Sequence, residues 1–200
     1  MRLIDRTTNK TSVFSGQCQS GGYQDGPTGQ FSKPHSVVID ERDMNQLLIT
    51  DHLNAAVRTV NVKSQAVGTF VKSDSLQYIR GITQEEKSGD LYVTADNAVY
   101  RITYTQRTVT LISGSPRSPG YRDSPLLDSR FNNPEALIFI ALHVLLIADY
   151  NNNKLRLVDM NSDKVTTLHV TSLNYPASLL LTNNSLYVGQ QNKITQYNCE

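Results

Sequence analysis

The chain has 200 residues, with 19 basic and 18 acidic side chains, a formal net charge of +1 and 38% hydrophobic residues. That length and balance suit a single globular core and lie far from a disordered polymer. A charge so close to neutral supplies no general electrostatic pull toward nucleic acid or an anionic membrane.

The opening residues, Met1-Arg2-Leu3-Ile4-Asp5, carry charge and lack the unbroken apolar run of a signal peptide. They match Leu155-Arg156-Leu157-Val158-Asp159, and Ser12-Val13-Phe14-Ser15-Gly16 reads as a following strand that ends in Gly. The chain is therefore expected to open midway through a repeat unit. Asn9-Lys10-Thr11 fits the N-glycosylation sequon, and Cys18 follows it.

A full unit comes next. It contains Gly22-Tyr23-Gln24-Asp25-Gly26, then Phe31-Ser32-Lys33-Pro34, then Leu47-Leu48-Ile49-Thr50-Asp51 with Asn54 and Arg58. A degraded unit follows, with Ile79-Arg80-Gly81-Ile82 in place of the proline start, then Leu91-Tyr92-Val93-Thr94 and Val99-Tyr100-Arg101. The full order then returns as Gly120-Tyr121-Arg122-Asp123-Ser124, Phe131-Asn132-Asn133-Pro134 and Leu145-Leu146-Ile147-Ala148-Asp149, with Asn152 and Arg156. Pro34 and Pro134 lie 100 residues apart, which leaves room for one unit between them. The stretch Ala136 to Ala148 is ambiguous in period, and its flanks favour two strands turning near Ala141-Leu142-His143. A partial unit closes the chain: Pro176-Ala177-Ser178-Leu179, Leu186-Tyr187-Val188-Gly189 and Lys193-Ile194-Thr195, with a second sequon at Asn183 and a second cysteine at Cys199.

Self-similarity at roughly 40 to 50 residues, with short β-branched runs between Gly, Asn, Asp and Ser turns, predicts an all-β fold. Four short antiparallel strands per unit make a blade of a β-propeller. The expected divisions of this one domain are a half-blade over 1–20, blades over 21–72, 73–115 and 116–172, and a partial blade over 173–200. About four blades are present. Because residues 193–198 already supply a third strand, Met1 to Asp5 would duplicate it in a four-bladed ring, so an arc of a larger propeller is the favoured reading.

The order Asp-Gly, Phe-x-x-Pro, apolar strand, Asp-x-x-Asn-x-x-x-Arg resembles the NHL repeat over nearly the whole chain. The resemblance implies a propeller that is usually six-bladed, a number this chain does not reach. It also implies a family of RNA-binding and protein-binding modules, extracellular propellers and a zinc-using lyase.

Asp51, Asn54 and Arg58, with their copies Asp149, Asn152 and Arg156, are read as scaffold. A motif repeated from blade to blade suits turn hydrogen bonds and a carboxylate–guanidinium pair better than a single active site. Tyr23 and Tyr121 are expected to pack between blades, or else to form a rim for a protein partner. His35, Arg80, Glu135 and Ala177 follow the start of each unit's first strand, which lines the channel of a propeller. His35, Arg80 and Glu135 are therefore the candidate ligand-binding residues, for a small anion or polar molecule. The alternative there is a solvated mouth where Arg80 and Glu135 pair. His35, His52, His143 and His169 fall on different strands and turns, so no metal site is expected. A calcium site of the gluconolactonase kind would want more inward acids than Glu135. No cofactor or catalytic residue is assigned.

Cys18 and Cys199 form either one disulfide or two unpaired thiols, and neither belongs to a C-x-x-C pair. With the sequons at Asn9 and Asn183, they point to an extracellular or cell-surface setting. The expected function is a non-catalytic module for protein–protein interaction or structure, with a protein partner, no membrane insertion by this segment, and no nucleic acid. The alternatives are a cytosolic RNA-binding propeller and a channel-mouth enzyme of the lyase or lactonase kind.

Overall fold

The computed structural model describes residues 1–17, 21–183 and 185–198. Among these, strands and turns dominate, and the only helices are single 3-10 turns. The chain is all-β, and its sheets are antiparallel β-propeller blades. It divides into two compact units, Met1–Ile79 and Arg80–Glu200.

In the first unit, β1 (Arg2–Asp5) pairs with β2 (Lys10–Val13). A four-stranded blade follows in the order β3 (Pro34–Ile39), β4 (Gln46–Asp51), β5 (Ala56–Asn61) and β6 (Val67–Lys72). Its core gathers Phe31, Ile49, Val60 and Val67, with Met1, Phe14 and Leu47 packed against them.

The next sheet is β7 (Ile79–Gln84), β8 (Leu91–Ala95), β9 (Ala98–Ile102) and β10 (Val109–Gly114). The third full blade holds β12 (Pro134–Ala141), β13 (Val144–Asp149), β14 (Lys154–Asp159) and β15 (Lys164–Leu168), with the short β11 (Ser124–Pro125) on the edge of β15. A three-stranded sheet of β16 (Ser178–Leu181), β17 (Ser185–Gly189) and β18 (Ile194–Asn198) completes the second unit. The ambiguous stretch is two strands, β12 and β13, and His143 turns between them at φ 60°.

Strand β8 is buried at every position. Tyr92 of β8 meets Phe139 of β12 edge-on, with ring centroids 5.1 Å apart, inside a cluster that includes Leu137, Leu145 and Ile147. A second cluster joins Leu146, Ala148 and Leu155 to Leu186 and Val188 of β17.

The prolines open the first strands, where their missing N–H costs no ladder bond. A register shift follows each, between Pro34 and Val37 and between Pro134 and Ala136. In two blades a threonine of the second strand bonds the backbone of the first. Thr50 Oγ1 accepts the Ser36 N–H at 2.9 Å, and Thr94 Oγ1 accepts that of Gly81 at 2.9 Å.

Candidate functional site

The Asp–Asn–Arg set is built by a strand end, a 3-10 turn and the start of the next strand. Asp51 ends β4, His52–Asn54 form the turn, and Ala55 takes a left-handed conformation (φ 52°) that reverses the chain into β5. Asp51 Oδ1 accepts the Ser32 N–H at 2.6 Å, while its Oδ2 accepts Asn54 Nδ2 at 2.8 Å and Arg58 Nη1 at 2.9 Å. The Asn54 amide also donates to the Gly22 carbonyl at 2.8 Å. Arg58 spends its remaining terminal donors on the carbonyls of Gln30 and Gln24 and on Asp25 Oδ1, at 2.8, 2.9 and 2.5 Å.

The copy repeats this bond for bond. Asp149 accepts from the Asn132 N–H, Asn152 and Arg156, each at 2.8 Å, and Asn152 donates to Gly120 O at 2.7 Å. Arg156 reaches the carbonyls of Arg130 and Arg122 and Asp123 Oδ1 at 3.0, 2.8 and 2.6 Å. Burial pushes the Asp149 carboxyl above its ordinary value, and the Asn132 N–H, the Asn152 amide and Arg156 pull it back. Both arginines and both strand-end aspartates are fully buried. Each guanidinium makes four hydrogen bonds to its own blade from its two terminal nitrogens, and its Nε is buried, so neither terminal nitrogen is left for a ligand.

Sequence spacing did not single out Asp25 and Asp123 as partners of these arginines, although the recurrence of Asp after Tyr23 and Tyr121 was a signal. Nor do the two tyrosines pack between blades. Tyr23 lies over the Arg58 guanidinium at 4.5 Å, and Tyr121 over that of Arg156 at 4.9 Å, each within its own blade. Their hydroxyls meet Thr69 and Thr167 at 2.9 and 3.0 Å, and the same threonines donate to Asp25 and Asp123, both at 3.0 Å. The physical reason is that a flat, electron-rich ring beside a cation is drawn to it before it can reach a neighbouring sheet.

Of the channel-mouth residues, the structure brings Arg80 and Glu135 together, with Nε 3.1 Å from Oε1. The Asn133 amide donates to the same carboxylate oxygen at 2.9 Å. Both charged side chains are mostly covered, at 15% and 13% exposure. Gly81 makes this packing possible, because a Cβ there would lie 2.8 Å from the Glu135 carbonyl oxygen. His35 belongs to the first unit, where it lies 5.9 Å from the ring of His52. His52 Nδ1 is 3.0 Å from the Ile79 carbonyl oxygen and its ring is 5.7 Å from that of Tyr78. In the second unit, His143 Nδ1 lies 2.9 Å from Glu85 Oε1, and His169 is exposed. Among the described residues, no three His, Cys, Asp or Glu side chains are grouped to hold a metal ion. Asn9 is exposed in the β1–β2 turn at φ 52°, and Asn183 is exposed after β16. Cys18 and Cys199 lie outside the described residues.

No family model matches the chain. NHL repeat-containing protein 2 is 29% identical over 113 residues in Gallus gallus, covering 54% of this chain and 15% of that protein. In Homo sapiens the same protein is 25% identical over 164 residues, covering 70% of this chain and 22% of that one. The chain thus spans less than a quarter of the length of the curated relatives it matches. Among solved structures, an auxiliary nutrient binding protein from Bacteroides ovatus superposes with a TM-score of 0.73 at 14% identity, over 98% of this chain and 53% of that one. Virginiamycin B lyase from Staphylococcus aureus superposes at 0.62 with 18% identity, over 84% of this chain and 53% of that one. At such identities the structures speak for the fold alone. The four-stranded antiparallel blades make this chain a β-propeller, and its ordered motifs are similar to those of NHL repeat-containing proteins.

Proposed function

We propose that the chain is a non-catalytic, extracellular module that binds a protein partner or builds a larger assembly. One observation carries this reading: the residues that recur most strictly, Asp51, Asn54 and Arg58 with Asp149, Asn152 and Arg156, are used up inside their own blades. Recognition then falls to the loops that a rigid repeat scaffold displays. The exposed positions of Asn9 and Asn183 suit glycan transfer.

Expression through a secretory pathway, followed by glycosidase treatment and non-reducing peptide mapping, tests the setting. Glycans at Asn9 and Asn183 and a Cys18–Cys199 peptide are expected. A secreted chain with both asparagines bare and both thiols unpaired overturns it.

A second reading is favoured by the mostly covered Arg80–Glu135 pair alone: a small polar ligand held at the first strands β7 and β12. Arg80→Ala and Glu135→Ala would each abolish such binding, measured by calorimetry against small carboxylates. The same variants would leave binding to a protein partner intact.

A further inference from the structure

The residue ahead of each repeat's opening position takes a left-handed conformation. Lys33 before Pro34, Tyr78 before Ile79, Asn133 before Pro134 and Tyr175 before Pro176 have φ 55°, 55°, 57° and 49°. Asparagine tolerates that conformation, whereas a bulky tyrosine is strained in it, and a following proline restricts it further. The fold fixes Tyr175 there through its N–H, which donates to Asn153 Oδ1 at 2.7 Å. Its ring gives little to the core in return, being 37% exposed. Residues strained in this way cluster at ligand clamps and active sites.

The Tyr175 ring meets that of Tyr150, on the turn after β13, with centroids 5.0 Å apart and planes at 43°. Exposed amides border the pair. Asn151 donates to Asn132 Oδ1 at 3.1 Å, and Asn174 donates to Gln191 Oε1 at 3.5 Å. An amide has two N–H donors and an oxygen with two lone pairs, so Asn151, Asn174 and Gln191 each keep donor and acceptor capacity beyond these bonds. No Asp, Glu, Lys or Arg occurs between Lys164 and Lys193, and Asp149, just ahead of Tyr150, is spent on Arg156. In the first unit His52 and Tyr78 form the corresponding pair at 5.7 Å, but Leu53 and Gln77 stand where Asn151 and Asn174 do. Tyr78 is 52% exposed although its own blade and a further full blade follow it, so exposure of a ring at this position does not depend on where the chain ends.

We propose that the Tyr150–Tyr175 pair and its amide border bind a neutral saccharide. The apolar C–H face of a sugar ring lies on a tyrosine ring, as apolar surface does on an aromatic face. Its hydroxyls, each both donor and acceptor, meet the amides of Asn151, Asn174 and Gln191. A phosphate-bearing ligand would call for cations that this stretch of chain lacks. A proline-rich peptide offers carbonyl acceptors without N–H donors and would leave the amide oxygens unmatched. The inference goes beyond the protein-binding reading above and does not depend on it.

The test titrates the chain, produced without glycans, with cellohexaose, maltohexaose and xylohexaose. Binding is read by calorimetry and by the side-chain amide NMR signals of Asn151, Asn174 and Gln191. At least one of the three sugars is expected to bind and to shift those signals. Tyr175→Asn, which installs the residue type that Asn133 supplies ahead of β12, should weaken binding about tenfold or more while cooperative unfolding is kept. Tyr150→Ala should weaken it to a similar degree. Tyr78→Asn should leave binding unchanged, because the first pair lacks the amide border. Binding of none of the three sugars overturns the proposal, as does full affinity in Tyr175→Asn, or an equal loss in Tyr78→Asn. If Tyr150→Ala does not fold, Tyr175→Asn decides alone. Tighter binding of a decaproline peptide than of every sugar assigns the face to a peptide and also overturns the proposal. None of these readouts depends on secretion or on a protein partner, so this proposal and the reading above can fail separately.

Discussion

Arg58 and Asp51, seven residues apart across a single strand reversal, form an ion pair of 2.9 Å in which neither side chain is exposed. A charge buried this way is tolerated because every oxygen of the aspartate and both terminal nitrogens of the arginine are satisfied within the blade. Breaking such a pair strands the remaining charge, at a cost of about 3–5 kcal/mol. Asp51→Ala and Arg58→Ala should each lose that much in urea denaturation. The double replacement Asp51→Leu with Arg58→Met should recover a large part of it, since no charge then stays buried alone. The same series at Asp149 and Arg156 should behave alike, because the bonds are alike.

Tyr23 tests the outer side of the same guanidinium. Its ring also lies 4.1 Å from Lys72 Nζ, so it covers two cations from a half-exposed position. Tyr23→Ala should cost about 1 kcal/mol, and Tyr23→Phe less than half of that, because the ring contact outweighs the exposed hydroxyl bond to Thr69. Thermal melts of the two variants side by side check the order.

Gly81→Ala addresses the close approach of β7 to β12. The new methyl would meet the Glu135 carbonyl oxygen and a Leu137 methyl, both at 2.8 Å, and the Ala136 Cα at 3.0 Å. Two of these three atoms are backbone and cannot swing aside. Overpacking of this kind costs about 1–3 kcal/mol. Chemical denaturation should show that loss, and the Arg80–Glu135 pair should lengthen in a structure of the variant.

Tyr92 should give the fold an alkaline weakness. Burial pushes its phenol up to about 12, Glu85 adds to the shift and Arg101 opposes it. An unfolded tyrosine ionises near pH 10. Between roughly pH 10 and 12 the unfolded chain gives up a proton that the folded chain keeps, so stability falls as pH rises through that window. Below pH 10 the group contributes no pH dependence. Tyr92→Phe should flatten the decline by up to about 3 kcal/mol at its upper end, measured as urea midpoints from pH 9 to 12.

Much of this architecture was legible in the chain itself. The separation of Asp51 from Asn54 and Arg58, and its repetition at Asp149, reflects one strand reversal, and a reversal is local enough to write into consecutive residues. The division of Ala136 to Ala148 into two strands was legible for the same reason, since turn residues punctuate short apolar runs. The position of Arg80 and Glu135 on inner strands followed from the repeat register, and the structure pairs them.

Other features required the folded chain. Asp25 lies 33 residues from Arg58 in sequence and reaches it only because the loop ahead of β3 folds back over β5. Tyr23 and Tyr121 looked like contacts between blades, yet each lies on the arginine of its own blade, a choice made by a cation that the strand register carries beneath them. Arg2 and Arg156 occupy matching strands of the same sequence pattern, but one is exposed and the other buried. The amino-acid sequence by itself determined the repeat, the strands and the turns, because their hydrogen bonds close over a few residues. Only the tertiary structure decided which charges are spent inside a blade and which are left at an edge, because burial depends on what packs against a strand and not on the strand's own residues.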